Sequence, residues 1–277
     1  MKQTSSTQPE HLALLCIGNR PADPAALRLA KGVIQAMEVD PVLFHVAPPG
    51  TSPDVGKRKL QDVQAILDMD EAEILLRDGR VFSQIRRELD RRSYRLLVLG
   101  TSTHEDSAPM SSLARRLAEC VDTSVLIVRN PPVKLEKVLI CTGGHIASSY
   151  TVTVGIRIAQ GTGSLATILH VASGAPAMYT GLPAIEEDLS QVLSRDIPLS
   201  SHLKEAAALA EESGVQARLE LRHGLVVEEI LRACDVYPHD LVVLGGHHPK
   251  PLLDRLVLGR VTPKVLPSSQ RSTLIVR

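Results

Sequence analysis

The chain is a repeat of itself, and this restricts its fold more than any other feature. The segment SVLIVR at 124–129 returns as STLIVR at 272–277, and RLLVLG at 95–100 returns as DLVVLG at 240–245. EILLRDG at 73–79 matches RLELRHG at 218–224, LFHV at 43–46 matches ILHV at 168–171, and LLCIG at 14–18 matches LICTG at 139–143. The blocks keep their order. The offset is 125 residues from Cys16 to Cys141 and from His45 to His170, and 145 from Gly79 to Gly224 and from Gly100 to Gly245. From Arg129 to Arg277 it is 148. The second copy therefore carries about 20 extra residues between Val171 and Arg218, and about three more after Gly245. The joint is Asn130-Pro131-Pro132, which ends any regular element and divides the chain into 1–130 and 131–277.

Each copy alternates strand and helix. In the first, the pattern predicts strands near 11–18, 41–46, 72–77, 95–100 and 124–129, with helices near 23–38, 57–69, 80–92 and 110–120. In the second, it predicts strands near 136–142, 165–171, 216–222, 240–245 and 272–276. The helices there fall near 148–160, 184–194, 199–213, 225–234 and 260–266, and Gly161-Thr162-Gly163 reads as a helix stop. The strands are short, β-branched and apolar on both faces, as in a parallel sheet covered by helices on both sides. Alternating βα units with right-handed crossovers give an α/β fold of two tandem, doubly wound, open, parallel five-stranded sheets. The closing strands leave apolar edges, Leu126-Ile127-Val128 and Leu274-Ile275-Val276, that need cover. The two copies are expected to pair through them as an internal pseudo-dimer; a further homodimer stays open.

Composition removes several classes of function. Lys+Arg and Asp+Glu are 31 each, and aromatic residues are 2% with no Trp. Such a chain has neither the basic field nor the stacking platforms of a nucleic-acid binder. No apolar run approaches the roughly 18–20 residues of a membrane span. The polar start, MKQTSSTQPEH, has no signal-peptide core, and the four cysteines form no close pair. The expectation is a cytoplasmic protein. There is no P-loop and no GxSxG elbow, and no nucleophile, base and oxyanion set can be assembled. No catalytic residue is assigned.

Ligands of doubly wound sheets sit beyond the carboxyl ends of the strands, so the loops there carry the search. In the second copy these are TGGHIASS at 142–149, the stretch after His170-Val171, and GGHHPKPLLDRLVLGRV at 245–261. The last stretch resembles the signature of the universal stress protein family: a strand-end glycine pair, then a glycine opening a helix. Gly246 and Gly259 stand at the family spacing, and the ILHV, VVLG and LIVR blocks are also family-like. The resemblance spans the whole chain as two tandem domains. It implies the adenine-nucleotide alpha-hydrolase-like fold, with glycines that let phosphate approach and a helix N-terminus that receives it. Thr142, Gly143, Val171, Gly245, Gly246, Gly259, Arg260 and Val261 would then form a site for ATP, AMP or another anion.

The departures are specific. The motif's middle glycine is Pro249, which has no N–H, and the usual hydroxyl residue after the last glycine is Arg260. Nucleotide-binding members carry an Asp at the end of strand one that contacts the adenosine; here that residue is Thr142, which still offers a hydroxyl to a ribose. The first copy has Ile17 there, Ser111 in place of the helix glycine, and the acidic run His104-Glu105-Asp106. It is expected to bind no nucleotide. Cys141, His145, His170, His247 and His248 lie on neighbouring loops of the second copy, which leaves a zinc site open without predicting one. The resemblance implies a non-enzymatic stress-response module that binds a small molecule or regulates. A ligand-free module docking a protein partner and a weak ATP hydrolase stay as alternatives.

Overall fold

The computed structural model describes residues 11–100, 110–172, 188–246 and 261–277. The first half runs β1 (Leu12–Ile17), α1 (Pro24–Ala36), β2 (Asp40–Ala47), α2 (Pro53–Leu67), β3 (Glu73–Asp78), α3 (Val81–Arg91), β4 (Tyr94–Leu99), α4 (Ser112–Cys120) and β5 (Ser124–Ile127). The second half runs β6 (Lys137–Thr142), a short 3-10 turn (Ile146–Ser148), α5 (Ser149–Thr162), β7 (Leu165–Ala172), α6 (Leu189–Ser194) and α7 (Pro198–Glu212). It continues with β8 (Ala217–His223), α8 (Val226–Val236), β9 (Leu241–Gly245), α9 (Val261–Ser268) and β10 (Ser272–Val276).

Helix ends follow capping chemistry. Asp23 accepts the Ala25 N–H ahead of Pro24, and Ser111 accepts the Ala114 N–H. The second helix begins at Pro53 rather than 57 because Ser52 caps it, a signal the apolar period does not carry. The helix expected over 184–194 begins at Leu189, behind a capping box in which Asp188 and Gln191 satisfy each other's backbone; 184–187 fall outside the described residues. The helix stop is as expected: α5 ends on Gly163 with φ 67°.

The ten strands of the described residues form one sheet in the order β3-β2-β1-β4-β5-β10-β9-β6-β7-β8. Under the repeat this order is a palindrome. Pairing is parallel within each half and antiparallel only at the joint, where Val125, Leu126 and Ile127 face Ile275, Leu274 and Thr273. The two expected five-stranded sheets are thus the halves of one continuous sheet, and each apolar closing strand is the cover for the other.

Reciprocal bonds lock the joint. Ser272 Oγ accepts the Arg129 N–H at 3.1 Å and donates to the Arg129 carbonyl at 3.0 Å. Ser124 Oγ accepts the Arg277 N–H at 3.0 Å and donates to the Arg277 carbonyl at 3.4 Å. The first and last residues of each SxLIVR block therefore bond the last and first residues of its repeat. Each guanidinium then reaches across: Arg277 to the Thr123 carbonyl at 3.1 Å, and Arg129 to Gln270 Oε1 at 2.8 Å. On one face α1 packs on α5, closely enough that a Cβ on Gly32 would lie 3.2 Å from Thr162 Cγ2. A single apolar cluster runs from Leu15 and Val33 through Leu126 and Leu274 to Ile140 and Ile158, so the core does not stop at the joint. No helix among the described residues is long and apolar enough to cross a membrane.

Candidate functional site

Strand order reverses at β6, which pairs with β7 on one side and β9 on the other. The crevice beyond the carboxyl ends of β6 and β9 is the place where such sheets take ligands. Gly143 and Gly144 leave β6, and Gly245 and Gly246 leave β9. Gly144 has φ +74°, and a Cβ there would lie 2.5 Å from Leu199 Cδ1 and 2.7 Å from His170 Cε1. Only glycine fits that turn. Gly246 gives its N–H to the Val276 carbonyl at 2.7 Å, so it offers a ligand close approach but not that amide. Val171 is half-buried near the end of β7, and Val261 opens α9. Gly259, Arg260, Pro249, His247 and His248 lie outside the described residues, as do the run His104-Glu105-Asp106 and the 14-residue stretch that would close the phosphate turn.

Thr142 is the hub of what the structure does bring together. It is buried, and its hydroxyl lies 2.9 Å from Ser148 Oγ, 2.6 Å from His202 Nε2 and 3.2 Å from the Gly144 N–H. The protons can be assigned. Ser148 Oγ donates to the His145 carbonyl at 2.6 Å, so its one proton is spent. It must then accept from Thr142, whose own proton is spent in turn. Thr142 Oγ1 therefore receives two N–H groups, from Gly144 and from His202 Nε2. The hydroxyl that the sequence offers to a ribose is saturated by the protein itself. His202 gives a proton to Thr142 rather than taking one, so the pair is not a base activating a nucleophile.

A second imidazole bonds the same residue. His170 Nδ1 lies 3.1 Å from the Thr142 carbonyl, which can only accept, so Nδ1 carries the proton. Burial lowers the pKa of both His170 and His202, and the neighbouring His145 lowers both further; for His202, Glu205 pulls the other way. Both rings are neutral near pH 7. Cys141 is held as a thiol by burial, well above its ordinary pKa, and is no ready thiolate ligand. Among the described residues no group of three or more His, Cys, Asp or Glu is placed to hold a metal ion.

His202, Ser148 and Leu199 escaped the reading of the sequence. Leu199 and His202 stand on α7, the repeat of α2 at the 145-residue offset, where the first copy has Asp54 and Lys57, so the repeat gives no signal for either. The apolar period predicts their helix but not the neighbour its face meets.

The first copy keeps the scaffold and loses the chemistry. His45 Nδ1 bonds the Ile17 carbonyl at 2.8 Å, matching His170 on Thr142. Ile17 is buried and has no polar atom on its side chain. Ser111 Oγ accepts the Ala114 N–H, so the helix end that would receive a phosphate is capped from within.

Residues 134–277 match the profile of the universal stress protein family. A universal stress protein of Methanocaldococcus jannaschii is 29% identical over 153 residues, which is 54% of this chain and 87% of the relative. A universal stress protein from Archaeoglobus fulgidus DSM 4304 superposes with a TM-score of 0.62 at 11% identity, over 95% of this chain and 98% of its own. A protein of unknown function from Pseudomonas aeruginosa PAO1 superposes with a TM-score of 0.65 at 14% identity, over 95% of this chain and 92% of its own. At such identities the two structures speak to the fold, and they do so across both halves.

Proposed function

The chain belongs to the universal stress protein family, and from that premise we propose that it is a tandem, non-enzymatic binding and regulatory module. Its division lies at 130/131, its compartment is the cytoplasm, and its second copy takes an adenine nucleotide, ATP or AMP. The observation that carries the reading is the pair of glycine turns, Gly143-Gly144 and Gly245-Gly246, at the carboxyl ends of the two strands where the order reverses. Phosphates would lie toward Gly245, Gly246, Gly259, Arg260 and Val261, and the nucleoside toward Thr142, Gly143 and Val171. The direction of the His202 to Thr142 bond supports a binder over a hydrolase, because no side chain there is activated.

The saturated Thr142 hydroxyl and the spent Gly246 amide favour a second reading: a ligand-free module that docks a protein partner. Native mass spectrometry of the untagged chain, with ATP or AMP and magnesium at millimolar concentration, separates the two. Gly245 is exposed, and a Cβ there meets Thr151 Oγ1 at 3.1 Å, so Gly245→Asp places a negative charge at the mouth once the Thr151 hydroxyl shifts by a few tenths of an ångström. A nucleotide adduct that Gly245→Asp removes supports the nucleotide reading. A clean apo mass in both proteins refutes it.

A further inference from the structure

We infer that a cavity between the two copies, at the far end of α5, is a second binding site, and that it takes a small organic acid: a carboxylate on a compact apolar body of about ten non-hydrogen atoms. The site is separate from the β6 and β9 crevice. That crevice lies at the start of α5, and the helix runs 14 residues before it reaches the cavity, roughly 20 Å away at 1.5 Å per residue.

The cavity has a volume of about 220 Å³. An apolar cavity of about 150 Å³ holds a benzene, so there is room for a somewhat larger molecule. Both copies and the linker build it: α1 gives Arg28, Leu29 and Gly32, α5 gives Thr162, and the linker gives Val133, Lys134 and Leu135. Leu29 and Leu135 are buried and form an apolar floor, while Val133 stands 80% exposed at the rim. Thr162 adds to the apolar side. Its hydroxyl bonds the Ile158 carbonyl at 2.7 Å and lies 2.6 Å from Ser164 Oγ, and its methyl faces Gly32. The last carbonyls of α5 are not bare either, since Ala159 and Gln160 accept from Ser164 and Gly163.

The charge at the mouth has one sign. Arg28 and Lys134 are exposed, and neither has a hydrogen bond or ion pair among the described residues. No acidic residue among the described residues lines the cavity. Two uncompensated cations over an apolar floor match an anion that carries a hydrophobic body. The repeat shows that the space is particular to this place. At the 125-residue offset, the counterpart of Gly32 is Arg157, whose side chain occupies that position and pairs with Glu38 at 3.7 Å. The counterpart of Thr162 is Met37. A glycine inside a helix lowers its stability, and here it leaves open what its repeat fills.

Proton–nitrogen NMR of the full chain, titrated with benzoate, benzyl alcohol and inorganic phosphate, tests this. Benzoate is expected to give saturable shifts of the Gly32 and Val133 amides. Benzyl alcohol, which lacks the charge, and phosphate, which lacks the apolar body, should each bind at least threefold more weakly. Arg28→Gln with Lys134→Gln changes only exposed side chains and should weaken benzoate about three- to tenfold while leaving benzyl alcohol unchanged. Gly32→Leu should fill the cavity and remove the benzoate shift at Val133, with circular dichroism reporting an intact fold. No saturable benzoate shift in the wild-type chain overturns the inference. So does benzyl alcohol or phosphate binding as well as benzoate, or benzoate binding that the double variant leaves unchanged. None of these outcomes bears on the nucleotide reading of the other crevice.

Discussion

The joint between the halves can be broken at single atoms. Ser272 is fully buried, and its hydroxyl serves both backbone groups of Arg129. Ser272→Ala removes one oxygen, adds no bulk, and takes from the Arg129 backbone one acceptor for its N–H and one donor to its C=O. A buried polar group left unpaired costs about 1–3 kcal/mol. Arg129 is half-buried, so water recovers part of that, and the expected loss is about 2 kcal/mol. The opposite lock is weaker, because the bond from Ser124 to the Arg277 carbonyl spans 3.4 Å. Ser124→Ala should therefore cost about 1 kcal/mol. The serines lie at opposite ends of the ladder, some four strand residues or roughly 14 Å apart, so the double variant should lose about the sum. Urea denaturation followed by far-ultraviolet circular dichroism measures this as a lower midpoint at unchanged slope. The wild-type chain should unfold in one transition, because one apolar cluster crosses the joint. Two resolved transitions in the wild type, or a Ser272→Ala loss below about 0.5 kcal/mol, would refute a single body locked by these bonds.

Acid should destabilise the chain through three histidines. Burial depresses His170, His202 and His239; His145 and His223 lower His170 further, His145 and His170 lower His202 while Glu205 raises it, and Arg218 and Lys137 lower His239 while Glu220 raises it. A depressed folded-state pKa means that this stability is complete above the unfolded value of about 6.5 and is lost as pH falls through the lower folded values. Melting temperature should therefore drop from pH 7.5 to 5.5, and a flat profile would contradict the burial. Gly144→Ala combines φ +74° with close contacts to Leu199 and His170 and should cost about 2–4 kcal/mol, read from the urea midpoint. Of the thiols, Cys120 is exposed, while burial pushes Cys234 up to about 11 and raises Cys16 and Cys141 as well. Ellman's reagent should modify Cys120 in the native chain and reach the others only on unfolding.

The fold was legible because the strands advertise themselves. Apolar runs such as LVVL at 241–244 fit a sheet covered on both faces, and their recurrence in order marks two copies. The joint was legible from a cost: an apolar edge at 126–128 must be covered, and its repeat at 274–276 is the surface of matching length and hand. Helix starts were less legible, since Ser52 and Asp188 set them through caps that hydrophobic periodicity does not register. At the site, the sequence located the glycine turns, because strand ends and glycines together define where backbone can approach a ligand. It did not disclose the relay. That Thr142 is saturated depends on which way Ser148 turns its hydroxyl and which nitrogen of His202 holds the proton. Both are set by contacts up to 60 residues apart along the chain.

The antiparallel joint also fixes where the two carboxyl-end crevices lie. Parallel strands within each half point their carboxyl ends one way, and the single antiparallel pairing turns the second half over. The two carboxyl-end crevices therefore open on opposite edges of the sheet, and neither can lend the other a residue across the strand ends. What the first half supplies is support from behind. Arg95, early in β4, donates to the Tyr150 hydroxyl at 3.1 Å, in the first turn of α5, directly after the loop that carries Gly143, Gly144 and Ser148. Further along the same helix, Arg157 pairs with Glu38 at 3.7 Å. The helix that holds the second copy's β6 loop is thus braced by the amino-end edge of the first copy, not by its crevice. Ile17 and Ser111 sit on the far edge, at the carboxyl ends of the first copy's strands and away from that brace.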